Sequence, residues 1–419
     1  MGAQIAIVGA QLIDGTGADP VARSTVVLDG ERIAAVGPAA RVAPPPGARV
    51  IDAEGLTLLP GLIDAHVHIT MTGASDLLTM SAHRSLPQIA FDTVAHLAAT
   101  LNAGVTSIRT VGDIGHVDIA ARNAIAEGRL RGPRILAAGR GLTSTGGHGT
   151  VLPPWLRTSY GDLSEVVDGP EQARAAVRRQ IEAGCDHIKL FQTGGVVDPG
   201  GRIEAEEFDA EELRAIVGTA RLAGRPVACH AHNKSGILNA IAAGVRSIEH
   251  GMSFDEECAA RALAAGVFLV PTLIVMEQIL RHGRAAGLPS YMIDNVGART
   301  REHHANVRLA YELGVRVVAG TDAGSVLTPH GAAGMEVAML VRAGLRPLDA
   351  IRAATATAAE LLGWQSRLGT VEAGKLADVI LVAGDPLAQP ELLGDRAAVR
   401  AVFLGGVPVK GPDRGAPAA

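Results

Sequence analysis

Aromatic residues and cysteines are scarce in this sequence, and each shortage limits what the protein can be. Phe, Trp and Tyr make up 3% of the 419 residues, so Ala, Val, Leu and Ile must fill the core. The three cysteines, Cys185, Cys229 and Cys258, are too few and odd in number for a disulfide framework. We therefore expect reduced core thiols, as in a cytoplasmic protein.

Other features that would indicate particular partners are also missing. The formal net charge is −5 and no run of Lys and Arg stands out, which argues against binding to nucleic acid. No apolar run reaches the roughly 18 to 20 residues that span a bilayer, so we expect no membrane association. The first residues, MGAQIAIVGAQLIDGTG, do not have the pattern of a signal peptide.

What is present fits a compact globular protein with a small β domain at its ends. Hydrophobic residues make up 47% and charged residues 19% of the chain. Both ends alternate short β-rich runs with turn residues, as in STVVLDG and DVILVAG, which predicts antiparallel strands. We predict that residues 1–59 and 363–419 join into one small β domain, which the family resemblance described below implies to be a β-sandwich, and that residues 60–362 form a separate central domain.

The central region alternates short apolar runs with stretches of helical periodicity. Eight such runs occur, among them GLIDAHVHI, DHIKLFQT, VRSIEHG and VRVVAGTD. Buried parallel strands connected by helical crossovers predict an α/β fold of the (β/α)₈ TIM barrel type. An open, doubly wound sheet would show the same alternation, but the count of eight and the position of the polar residues favour the barrel.

Side chains that can bind metal ions end five of the eight predicted strands. They are His66, His68, Lys189, His230, His232, His250 and Asp322. Any one of them alone could be structural: a strand-end His is often only hydrogen-bonded, and Asp322 could cap a helix or form a turn. Because a TIM barrel gathers the carboxyl ends of its strands at one mouth, the set together predicts a site there.

The residue types suit a pair of divalent ions. Imidazoles bind zinc and similar borderline ions, and carboxylates bind harder ones. Two ions roughly 3.5 to 4 Å apart need a bridging anion. Lys189 lies between Ile188 and Leu190, and burial lowers the pKa of a lysine amine, so this amine could react with carbon dioxide and form an anionic carbamate.

Taken together, these motifs resemble those of the amidohydrolase superfamily. The resemblance rests on HVH after GLID, on Lys189, on CHAH, IEHG and GTDAG, and on the flanking LPGLIDAH and GTVEAGKLADVILVAGDP. Within the superfamily, HIKL followed by TGG, and CHAHNKSGILNAIAAGVRSIEHG, resemble one branch. That branch contains Xaa-Pro and Xaa-Arg dipeptidases and hydrolases of N-acyl amino acids, ochratoxin among their substrates.

The resemblance implies a role for each of these residues. His66, His68 and Asp322 would bind the more buried ion, His230 and His250 the more exposed one, both expected to be zinc. Lys189, carboxylated by carbon dioxide or bicarbonate, would bridge the two ions. His232 stands where the dipeptidases often have the Tyr that polarises the substrate carbonyl.

A hydrolytic mechanism follows from the same resemblance. A hydroxide shared by the two metal ions would attack the carbonyl carbon of an amide or peptide bond in a small, amino-acid-containing substrate. Asp322 would then carry the proton of the hydroxide to the leaving amine. Hydrolysis of a lactone, carbamate or phosphoester, and a catalytically silent binding protein, are the alternatives. The superfamily also implies a homo-oligomer.

Weaker candidates lie around the predicted mouth of the barrel. His148, in the glycine-rich loop after the third strand, Arg140 at the end of that strand, and His330 after the eighth strand are candidate substrate contacts. Residues 278–300 are a candidate lid. We interpret His187 as a structural residue that points away from the site, toward the helices, and Glu249 as a residue that supports a ligand from behind or packs in the core.

Overall fold

A computed structural model of the chain describes residues 4–76, 82–150, 152–156, 162–198 and 202–411. The chain forms two compact units. The first contains residues 1–64, 98–107 and 331–419, and the second contains residues 65–97 and 108–330. This division assigns both chain ends to one unit, together with three segments of the predicted central domain, residues 60–64, 98–107 and 331–362.

The expected mixture of strands and helices is present, which confirms the α/β class. The strands are β1 (Ile5–Val8), β2 (Gln11–Leu12), β3 (Ser24–Asp29), β4 (Arg32–Pro38), β5 (Arg49–Asp52), β6 (Leu56–Pro60), β7 (Leu62–Val67), β8 (Val105–Thr110), β9 (Arg134–Leu136), β10 (Gly141–Thr143), β11 (Ser164–Val166), β12 (Ile188–Phe191), β13 (Val227–Ala231), β14 (Ser247–His250), β15 (Phe268–Val270), β16 (Val379–Ala383), β17 (Val399–Leu404) and β18 (Val407–Lys410).

Helices lie between most strands of the central region. They are α1 (Leu86–Asn102), α2 (Val117–Ala126), α3 (Pro170–Glu182), α4 (Ala210–Leu222), α5 (Lys234–Ala243), α6 (Glu256–Ala265), α7 (Leu273–His282), α8 (Ser290–Glu312), α9 (Ala333–Ala343), α10 (Pro347–Ala353) and α11 (Ala356–Leu362). Among the helices of the described ranges, none combines the length and apolarity required to cross a bilayer.

The first unit contains two sheets built from both ends of the chain. One has the strand order β4-β3-β1-β5, and the other has the order β18-β17-β16-β6-β2. Within the second sheet β16 pairs antiparallel with β6, so a strand from the C-terminal segment lies beside one from the N-terminal segment. One buried apolar cluster contains side chains from both sheets, including Ile7, Val26, Leu58 and Phe403. This shared core explains the alternating patterns at both ends of the sequence.

The second unit is built on parallel strands. Its larger sheet has the order β11-β10-β12-β13-β14-β15, in which each adjacent pair runs parallel. A smaller sheet has the order β7-β8-β9. Strands β12, β13 and β14 are buried along their whole length, which accounts for their nearly continuous apolar sequences.

The eighth predicted strand differs from the expectation. The run VRVVAGTD forms isolated parallel bridges, Val317 with Leu269 and Ala323 with Val67, rather than a regular strand. Its backbone still bonds on both sides: the Val318 amide donates to the Leu269 carbonyl at 2.9 Å, and the Asp322 amide donates to the His66 carbonyl at 2.8 Å. The positive φ of Asp322, 60°, interrupts the extended conformation.

Candidate active site

The end of β7 brings two imidazoles next to a carboxylate. His66 and His68 are two residues apart, so both side chains project to the same side of the strand. Oδ1 of Asp322 lies 3.5 Å from Nε2 of His66 and 3.2 Å from Nε2 of His68. The ligand atoms of these three residues all lie within 4.8 Å of one another, a spacing that could hold a metal ion.

Hydrogen bonds fix which ring nitrogen faces this cluster. Nδ1 of His66 lies 2.8 Å from Oε2 of Glu249, and Nδ1 of His68 lies 2.7 Å from the Gly112 carbonyl oxygen. Carboxylate and carbonyl oxygens only accept, so each Nδ1 carries the proton and each Nε2 of the neutral ring keeps its lone pair. Burial lowers the pKa of His68, which keeps its ring neutral and able to bind a metal.

The carboxylate of Asp322 is held in its charged form. Burial alone would raise its pKa, but the close contacts with His66 and His68 outweigh burial and lower the pKa far below the usual range. An ionised carboxylate beside two imidazoles is a favourable ligand set for a divalent cation.

Lys189 lies on β12, inside the same cavity. Its side chain is fully buried, and its Nζ has no hydrogen-bond partner among the described residues. Nζ lies 4.8 Å from the centre of the Phe191 ring. Burial lowers the pKa of Lys189 to about 8, so the neutral amine is far more accessible near neutral pH than in an exposed lysine.

Three further histidines complete the polar part of the cavity. The ring centres of His230 and His250 are 4.6 Å apart, and that of His232 lies 4.6 Å from His230 and 5.0 Å from His250. Burial lowers the pKa of each of these rings well below its ordinary value. His250 has a φ of 68°, and its Nδ1 lies 2.7 Å from Oγ1 of Thr272.

The structure therefore brings all the predicted metal-binding and catalytic residues to one cavity of about 540 Å³. Its lining includes His66, His68, Lys189, His230, His232, His250 and Asp322. The other wall is apolar and contains Val196, Met276 and Ile279. The candidate lid contributes to this wall through Tyr291 and Met292.

Of the three candidate substrate contacts, His148 lies at the cavity. Its ring stacks on that of His230 with centres 4.4 Å apart, and its Nδ1 lies 2.7 Å from Oδ1 of Asp198. Burial alone would lower the pKa of His148, but the charge and hydrogen bond of Asp198 outweigh burial and raise it. The motif TGGHG predicted a histidine near the site. Nothing in the sequence indicated that Asp198 would be its partner.

The other two candidate contacts are engaged elsewhere. The Arg140 guanidinium donates to the backbone carbonyls of Asp162, at 3.2 Å, and Ser164. Nε2 of His330 lies 2.7 Å from the Met71 carbonyl oxygen, and its ring stacks on that of His96 with centres 4.1 Å apart. Neither Arg140 nor His330 is among the described residues that line the cavity.

Glu249 supports the site from behind, as expected: its Oε2 lies 2.8 Å from Nδ1 of His66. The face expected for His187 is wrong. His187 is two residues before Lys189, not one, so strand alternation places both on the same face. Burial, followed by the charge of Arg109, lowers the pKa of His187 to about 3 and keeps it neutral.

Comparison with known proteins agrees with this site. Residues 57–409 match the amidohydrolase family. The chain belongs to the amidohydrolase family. It is therefore a hydrolase that acts on amide bonds, which confirms both the resemblance and the predicted enzyme class.

Individual amidohydrolases resemble nearly the whole chain. The ochratoxinase of Aspergillus niger is 32% identical over 99% of this chain and 88% of its own length. The structure of a Xaa-Pro dipeptidase with bound methionine is 32% identical, covers 98% of this chain and 100% of its own, and has a TM-score of 0.86. A prolidase complexed with N-methylphosphonate-L-proline is 33% identical, covers 97% and 99%, and has a TM-score of 0.88.

Proposed function

We propose that this amidohydrolase uses two divalent metal ions to cleave the amide or peptide bond of a dipeptide or an N-acyl amino acid, ochratoxin-like compounds included. The observation that carries the proposal is the convergence of His66, His68, Asp322 and the buried Lys189 on one cavity. The relatives named ochratoxinase, Xaa-Pro dipeptidase and prolidase support this substrate class.

We also infer a (β/α)₈ barrel for residues 60–362 and a β-sandwich formed by residues 1–59 and 363–419. The parallel strands of the second unit support the barrel, since residues 317–323 bond to β15 on one side and to β7 on the other. The apolar cluster shared by the two sheets of the first unit supports the sandwich.

The residues at the site fit a two-metal centre. His66, His68 and Asp322 would hold one ion and His230 and His250 the second. Lys189 would join the two ions as its carbamate, because its partly neutral amine can react with carbon dioxide. When bound, such ions, which we expect to be zinc, polarise the substrate carbonyl and supply hydroxide near neutral pH.

The chain's own side chains would then move protons and orient the substrate. Asp322 is ionised, so its carboxylate can accept a proton from the attacking water and pass it to the leaving amine nitrogen. His232 is neutral and lines the cavity, so a ring N–H can donate to the carbonyl oxygen as negative charge develops there. The apolar wall excludes water and binds the apolar part of the substrate.

The proposal is tested by measuring amine release from a panel of dipeptides and N-acyl amino acids. The enzyme is loaded with zinc in bicarbonate buffer, and a Lys189→Ala variant is assayed in parallel. Lys234→Ala is the matched control, because Lys234 is exposed and pairs with Asp255 on the surface. We expect turnover of a subset of the panel by the wild type and the control, and none by Lys189→Ala.

Two outcomes would contradict the proposal. If the zinc-loaded enzyme cleaves nothing in the panel, the site acts on another bond, and lactones, carbamates and phosphoesters become the next substrates to assay. If metal analysis of protein prepared with excess zinc finds none bound, the metal-dependent mechanism fails.

A further inference from the structure

A buried ion pair lies directly behind the metal-binding face of the cavity. Arg109 on β8 is 3% exposed and Glu249 on β14 is fully buried. Nη2 of Arg109 lies 2.8 Å from each carboxylate oxygen of Glu249. Two charges this deeply buried require a compensating arrangement, since an isolated charge would be strongly disfavoured there.

Two further hydrogen bonds of Arg109 lead to elements that carry the site. Nε of Arg109 donates to the Ala65 carbonyl at 2.6 Å, next to His66 on β7. Nη1 of Arg109 donates to Oγ of Ser247 at 2.9 Å, and that hydroxyl donates in turn to Glu249. The guanidinium thus connects β7, β8 and β14 at the level of His66.

Glu249 makes one further contact, which reaches the site. Its Oε2 accepts from Nδ1 of His66 at 2.8 Å, while Nε2 of His66 faces Asp322. An imidazole whose Nδ1–H is held by a carboxylate has its tautomer and ring orientation fixed, and its Nε2 becomes a better metal ligand. Glu249 itself is not among the described residues that line the cavity, so its effect must pass through His66.

Arg109 is required because Glu249 would otherwise bring a net negative charge beside the metal-binding face. A carboxylate buried behind His66 with no countercharge would be strongly disfavoured there. Arg109 cancels that charge and leaves the hydrogen bond to His66 intact.

We propose that Arg109 and Glu249 form a charge-neutral positioning pair, which orients His66 for metal binding without adding net charge to the site. The inference rests on the proposed function, since it takes His66 to be a metal ligand. It predicts that zinc affinity depends more on the balance of charge between Arg109 and Glu249 than on the presence of either side chain.

The experiment compares the zinc affinity of four proteins by competition with a chromophoric chelator: wild type, Arg109→Met, Glu249→Gln, and the double variant. Each single substitution leaves one buried charge uncompensated, so zinc affinity should fall about 10- to 100-fold. The double variant is balanced, and the amide carbonyl that Glu249→Gln introduces can still accept from His66. It should bind zinc at least tenfold more tightly than Arg109→Met.

Two further measurements separate positioning from general damage to the fold. The d–d absorption spectrum of the cobalt-loaded proteins should change in both single variants and return toward that of the wild type in the double variant. Arg122→Met is the matched control, because it removes an ion pair, Arg122 Nη1 to Asp186 Oδ2 at 2.6 Å, that does not contact His66. Its zinc affinity and cobalt spectrum should equal those of the wild type.

The outcomes distinguish this inference from the proposed function. If the wild type binds no zinc, the proposed function fails. If the wild type binds zinc and the zinc affinity of each single variant is within twofold of the wild-type affinity, the positioning pair is refuted. The proposed function then still stands. A double variant that folds but binds zinc no better than Arg109→Met refutes charge balance. If Arg109→Met does not fold, the comparison is made between Glu249→Gln and the double variant, which should bind more tightly.

Discussion

Individual residues at the site adopt backbone conformations that side chains usually avoid. Asp322 and His250 have φ values of 60° and 68°, in the left-handed region that costs a non-glycine residue roughly 1 kcal/mol or more. In both cases the conformation aims a proposed ligand at the cavity: the Asp322 carboxylate at His68, and the His250 ring at His230. The proposed metal site would account for such conformations at both positions.

The proton-transfer role of Asp322 gives the first prediction. Asp322→Asn keeps an oxygen ligand but cannot accept a proton, so zinc content should stay near that of the wild type while kcat falls by about 10²- to 10⁴-fold. Metal analysis and amine-release kinetics on the same preparation check this. An Asn variant that turns over substrate at the wild-type rate would exclude Asp322 as the proton acceptor.

The position of His148 gives the second prediction. A Cβ added at Gly195 would lie 2.2 Å from Cε1 and 2.5 Å from Nδ1 of His148, so Gly195→Ala should displace the ring from His230 and Asp198. If His148 contacts the substrate, kcat/KM should fall by about 10²-fold, because misplacement by about 1 Å has that effect.

The matched control is another glycine in the same unit. Gly218 lies within α4, and a Cβ there meets nothing within 4 Å. Gly218→Ala should leave kcat/KM unchanged and stabilise the fold by roughly 0.5 to 1 kcal/mol. If Gly195→Ala keeps wild-type kinetics, His148 has no part in substrate binding.

At the scale of single residues, the sequence predicted some parts of the site and not others. The spacing of His66 and His68 and the placement of Lys189 could be predicted, because strand alternation and strand ends determine them. The partners Glu249, Thr272 and Asp198 could not, since each is distant in sequence from the histidine it bonds.

At the scale of elements, local signals fixed most strand and helix positions. α4 is an example: Asp209 accepts from the amides of Glu211 and Glu212, each at 2.8 Å, and Glu212 accepts from the Asp209 amide. This reciprocal capping explains why the helix begins where the sequence reads DAEEL. The short strands β10 and β11 had no such signal, because their three residues each are too few for a periodic pattern.

The cap of α4 gives the third prediction. Asp209→Ala removes both side-chain hydrogen bonds at the start of the helix and should lower the free energy of unfolding by about 1 kcal/mol. Asp209→Ser, which keeps a capping oxygen, should restore most of that loss. Urea denaturation followed by circular dichroism measures both variants; equal destabilisation by Ala and Ser would mean that the side-chain cap does not stabilise α4.

At the scale of the whole molecule, the two units divide structure and chemistry between them. All the proposed ligands lie in residues 65–97 and 108–330, whereas the first unit contains the two sheets built from the chain ends. The change of rhythm between the ends and the centre of the sequence indicated that the two chain ends belong together. It gave no sign that residues 98–107 and 331–362 are grouped with them, which depends on tertiary contacts. The homo-oligomer stays a prediction.

This division gives the fourth prediction, on metal removal. Bound zinc stabilises only the folded site, by about 2.7 kcal/mol at a free concentration about 100 times Kd. Hydrogen exchange measured by mass spectrometry should therefore show zinc-dependent protection in peptides covering β7, β12, β13 and β14, and none in peptides covering β1, β3 and β16.

A chelator should reverse this protection, and Lys189→Ala should prevent most of it, because the second ion would lose its bridging ligand. The pattern tests the whole arrangement at once, since β7 belongs to a different sheet from β12, β13 and β14, and all four strands carry proposed ligands at or next to their ends. Protection spread evenly over both units would mean that zinc acts on global stability rather than at this site. Protection limited to β7 would indicate a single ion held by His66, His68 and Asp322.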